Sequence, residues 1–139
     1  MANTTHSSAE IIKQLFTTEA LAARPTAWFV AAHTGEAGID ASSNEVSTGS
    51  DANYARQAVT FATSVELGVT SAKNTADLAF PASAAAAPYT VRSVSIHTQS
   101  SGGIALAVLP LDPPRIVQPG GVLRFPINEL IIEGFCHGD

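Results

Sequence analysis

The residues able to do chemistry in this chain are few and scattered. His33 is followed by Thr34-Gly35-Glu36, with Asp40 close behind, so one stretch offers a base and two carboxylates. A histidine beside a carboxylate can act as a general base or supply half of a metal site. His6, His97 and His137 stand far from it and from one another, and no HxxxH, HExxH or CxxC spacing joins them. Local spacing therefore supports no zinc site. Serine is abundant, but no GxSxG elbow presents one as a nucleophile. The glycine pairs of "SSGG" and "QPGG" lack the helix and Lys-Ser/Thr of a phosphate loop and read as hairpin turns. The plain reading of His33 is a strand-end side chain bonded to loop backbone. No catalytic residue, metal ligand or cofactor is expected. A small hydrolase using Asp40 or Glu36 with His33 is the rival, and silence across ester, glycoside and peptide substrates would remove it.

A second group of residues suits contact better than catalysis. Tyr54 and Arg56 share one strand face in "YARQAVTF", just after the polar stretch that holds Glu45 and Asp51. An arginine there can hold a carboxylate in two parallel hydrogen bonds, within the chain or across a subunit boundary. Arg124 in "LRFP" raises the same choice. Tyr54, Arg56, Glu45, Asp51 and Arg124 are the interface candidates.

The elements that must position them are mostly strands. "SSAEIIKQLF" is the exception, a short amphipathic helix with Ser7 and Glu10 in capping-box spacing and an apolar stripe of Ile11, Ile12, Leu15 and Phe16. Arg24-Pro25 stops it. "TAWFVAAH" alternates as a strand, then some twenty polar residues from Thr34 to Asn53 form a loop too long to be a mere connection, hence a contact loop. "YARQAVTF", "NTADLAFP", "TVRSVSIHT", "SSGGIALAVLPL", the two strands around "QPGG" and "NELIIEG" complete the set. The apolar run after Gly103 reads as the central strand, buried on both faces and ended by Pro113-Pro114, while "ASAAAAP" is a loop bracketed by prolines. Many short strands with turn signals between them indicate an all-β antiparallel sandwich, jelly-roll-like, with a short N-terminal α-helix. The expected core is Trp28, Val30, Val59, Phe61, Leu78, Phe80, Val94, Ile96, Leu106 and Val108. The expected division is a flexible arm over 1–9, one domain over 10–133 and a flexible tail over 134–139.

The totals agree with one small domain. The chain has 139 residues and a formal net charge of −5, with no basic run, so nucleic acid is not an expected partner. Of its 45% hydrophobic residues, 24 are alanines, which bury little area each, so the core is thin and gains from covering further surface in an oligomer. One cysteine, Cys136, permits no intrachain disulfide. The opening "MANTTHSSAE" has no apolar h-region, and no apolar run approaches the ~20 residues of a membrane span, so neither a secretory signal nor a membrane partner is expected.

Five segments in order, "FVAAHTGEAG", "NEVSTGSDANYARQAVTF", "KNTADLAFP", "SGGIALAVLPL" and "GGVLRFPINEL", resemble a family of small tailed-bacteriophage virion proteins, described as tail-fibre-like, minor capsid or capsid decoration proteins. The resemblance covers about residues 10 to 133. It departs at "ASAAAAPYT", where the family has an aromatic-centred segment, and at a three-residue insertion, about "SDA", before Asn53. The resemblance implies a non-enzymatic structural protein located in the virion and assembled in the host cytoplasm. It also implies a homo-oligomer, favoured as a trimer, seated on the major capsid protein or other virion proteins. Capsid decoration is the first expectation; a tail fibre or baseplate component touching the host surface is the second.

Overall fold

Val30 and Ala32 turn one way along their strand and Ala31 and His33 the other, as the alternation of a pleated strand requires. The computed structural model describes residues 2–133; Cys136, His137 and the expected tail 134–139 lie outside the described residues. In chain order the elements are β1 (Ala2–Asn3), α1 (Thr5–Phe16), β2 (Trp28–His33), β3 (Gln57–Val59), β4 (Phe61–Glu66), β5 (Val69–Asn74), β6 (Leu78–Ala79), β7 (Tyr89–His97), β8 (Ala105–Val117), β9 (Arg124–Phe125) and β10 (Ile131–Glu133). Every strand pairing is antiparallel. One layer is a five-stranded sheet in the order β1-β8-β7-β2-β3, and the other is made of β10-β5-β4 and the pair β6-β9. Val30, Val94, Ile96 and Leu109 from the first layer meet Leu78, Phe80 and Phe125 from the second, with Trp28, Phe61 and Ile132 packed at the margin. This is an antiparallel β-sandwich with one short helix.

Several elements differ from the sequence reading. Residues 2–9 do not form a free arm: Asn3 pairs with Ala107, buried Thr4 donates to the Ala105 carbonyl, and the helix begins at Thr5. Thr4 rather than Ser7 is its N-cap, accepting from the Ser7 N–H. The strand buried on both faces is β7, from Ser93 to His97, not the apolar run of β8. In β8 the phase is also reversed. Ala107 and Leu109 are buried in the main core, while Leu106 and Val108 are half-buried, Val108 against Ala37, Ala41 and Ala105. A one-residue shift in phase exchanges the faces, and an unbroken apolar run carries no polar residue to fix it. Nor do Pro113-Pro114 end this strand. Val91 pairs with Arg115 and Ser93 with Pro110, so residues 111–114 bulge out opposite Arg92, where a missing N–H is tolerated. The turn "QPGG" does not join a hairpin: β8 pairs with β7, and β9 with β6.

Candidate functional site

The loop from Thr34 to Asn53 lies on the outer face of the five-stranded sheet and is tied to it along its length. Thr34 donates to the Asn44 carbonyl, Val46 to Ala32, and Glu45 bridges His33. Alanine makes the close approach possible: Ala37 and Ala41 of the loop pack against Ala105 with almost no exposure. The loop thus delivers the Glu45 carboxylate to the strand-entry segment that carries Tyr54 and Arg56.

There the contacts are saturated. The Arg56 Nε and Nη2 groups donate to the two Glu45 carboxylate oxygens at 2.9 and 2.8 Å. Its Nη1 donates to the carbonyls of Gln99 and Gly102 at 3.0 and 2.8 Å. The Tyr54 hydroxyl donates to Glu45 at 2.7 Å and accepts from the Ala32 N–H, while its ring stacks on Phe80. Burial alone would raise the Glu45 pKa, but the hydrogen bonds from Arg56 and Tyr54 outweigh it and hold the carboxyl below its usual range. The hydrogen bond to Glu45 raises Arg56, and burial raises Tyr54 strongly. The bidentate pair expected from the sequence exists, and it lies within one chain. Arg56 therefore fixes the loop to the turn at 99–102.

Asp51 is likewise committed internally. It is 2% exposed, accepts from the backbone N–H groups of Asn53 and Ala84, and receives the Tyr89 hydroxyl at 2.8 Å. Burial pushes Tyr89 up to about 12. Asn53 adds a bond to the Ala82 carbonyl. Arg124 is exposed, and it is Arg115 that ion-pairs with Glu129 and lies 4.6 Å over the Phe125 ring. Of the five interface candidates, Glu45, Tyr54 and Arg56 form one cluster, Asp51 a separate clamp, and Arg124 belongs to neither.

Beneath the loop lies a relay that sequence reading missed. The His33 Nδ1 atom is 2.7 Å from the Ser43 carbonyl, an acceptor only, so Nδ1 carries the proton and Nε2 is bare. Ser95 then donates to His33 Nε2 at 2.7 Å and accepts from His97 Nε2 at 2.8 Å. This leaves His97 Nδ1 buried, with no hydrogen-bond partner among the described residues. Burial lowers both histidines, His97 to about 4. Ser93, Ser95 and His97 at i, i+2 spacing are the signal that one face of β7 is polar and must be satisfied from above. A serine between two imidazoles invites a catalytic reading, but His33 is fully buried and Ser95 with it. Neither Glu36 nor Asp40 meets His33. Among the described residues no group of three or more His, Cys, Asp or Glu side chains is placed to hold a metal ion.

What the arrangement can do is hold a shape: a sandwich whose charged and polar side chains lock a long loop onto a sheet. Residues 2–133 match the family described as podophage GP4 fiber I protein gp80, and the chain belongs to that family. No curated protein matches the sequence.

Proposed function

We propose that this chain is a non-enzymatic structural subunit of a fibre on a tailed-phage virion, present in several copies and bound to other virion proteins. The family match over residues 2–133 carries the reading, and it favours the fibre over the capsid decoration that was the first expectation. The internal saturation of Glu45, Arg56, Asp51 and His33 supports it, because these four groups are used to hold a loop. In this role the exposed crest of the loop, Ser47 to Ser50, is the surface offered outward on a fixed frame. Immunogold microscopy of purified virions, with antibody against this chain, tests the location. Label confined to tail appendages is the expected outcome. Label scattered over the head would overturn the fibre reading and restore decoration.

A further inference from the structure

The helix α1 is twelve residues long and buries none of them. Its large apolar side chains face solvent: Ile12 is 53% exposed, Leu15 61% and Phe16 74%, and Leu21 just beyond is 46% exposed. A helix this short is marginal in water and ordinarily persists because one face is covered. Here polar bonds fasten it: Ser7 to the Leu106 carbonyl and the Glu10 carboxylate to the Ala22 N–H. Two apolar depressions flank it. One, of about 540 Å³, opens between the sandwich layers beside Ile11 and is walled by Trp28, Phe61, Ile96 and Ile132. The other, of about 610 Å³, runs between α1 and residues 21–25 over Leu106.

We infer that this face is the contact between copies of the chain, the α1 stripe of one copy lying in the depressions beside α1 of the next. A patch that carries both a ridge and an adjoining groove is complementary to itself, which is what repeated association of one chain requires. Charge agrees. The molecule carries −5, but this face is balanced: Glu10 and Lys13 pair with each other on the helix, and the two depressions add one carboxylate, Glu133, and one guanidinium, Arg24.

The inference rests on the fibre reading only in expecting several copies together. Sedimentation equilibrium of the full chain at micromolar concentration tests it. The wild-type chain is expected to sediment as an oligomer. The double variant Leu15→Glu/Phe16→Glu, with an unchanged circular dichroism spectrum, is expected to weaken association by at least about 100-fold. A wild-type chain that stays monomeric would overturn the contact, as would an oligomer indifferent to the double variant. Should that variant fail to fold, Leu15→Ala/Phe16→Ala serves instead: a lower sedimented mass than wild type supports the contact, and an unchanged mass opposes it. Head label on virions would remove the fibre reading without altering any of these masses.

Discussion

Arg56 uses its guanidinium on a carboxylate and on two carbonyls of a distant turn, all in its own chain. The Arg56 side chain is 9% exposed and the Glu45 side chain 26%, so the pair is only lightly screened. Arg56→Ala is expected to lower stability by roughly 2–4 kcal/mol, because it strands a half-buried carboxylate. Guanidinium denaturation checks this, and an unshifted midpoint would show that the loop holds without the pair. Arg56→Lys should recover less than half, since one ammonium cannot serve carboxylate and carbonyls together. His97 gives a pH signature. Its pKa falls from 6.5 to about 4 on folding. Above 6.5 it is neutral in both states; between 6.5 and 4 only the unfolded chain takes the proton, so stability declines through that window by roughly 3 kcal/mol and then levels. His97→Gln should flatten this part of a stability–pH curve measured by urea denaturation; an unchanged slope would assign the decline elsewhere. At this scale the sequence was partly legible. The sequence offered Arg56 a carboxylate, Glu45 or Asp51, and Glu45 is the one that meets it; nothing local told that Asp51 would turn inward, because Ala84 and Tyr89, which hold it there, lie more than thirty residues away.

Among the elements, the hairpin of β4 and β5 is one the sequence hid. Its turn is Leu67-Gly68, with φ of 51° and 79°, both left-handed. Asn-Gly or Asp-Gly is the usual sign of such a turn, and leucine gives none. Leu67 is also fully exposed, so here it has neither favourable backbone nor cover. Leu67→Asn is expected to raise stability by about 1 kcal/mol through the left-handed position alone. A thermal unfolding midpoint that falls instead would show that Leu67 makes a contact its exposure conceals. The strand "TAWFVAAH" was readable because an aromatic and β-branched apolar run of strand length sits between Pro25 and a polar loop. β8 was not, because its alanines and leucines share one polarity and its prolines look like a stop. One relation spans elements. Asp51 and Asn53 bond to Ala82, Ala84 and Tyr89, so the loop around "SDA" and the segment "ASAAAAPYT" hold each other in place.

For the whole molecule, sandwich class and the run of strands were legible from turn signals, while strand order was not, since pairings such as β1 with β8 join residues about a hundred positions apart. The thin core inferred from alanine content is only half of the account. Alanines also let the loop lie close on the sheet's outer face, giving a second, smaller packing layer. The edges of the five-stranded sheet carry a further consequence. β8 runs thirteen residues, but β1 covers only Ala107 and Val108 of its outer rim. Along the rest, Pro110, Pro113 and Pro114 offer no amide proton, and the bulge at 111–114 spoils the straight ladder an incoming strand would need. An open strand edge is a template for joining chains by sheet extension, whatever else a protein binds. The prolines that look like punctuation act as a bar to it, closing the rim against amyloid-like growth.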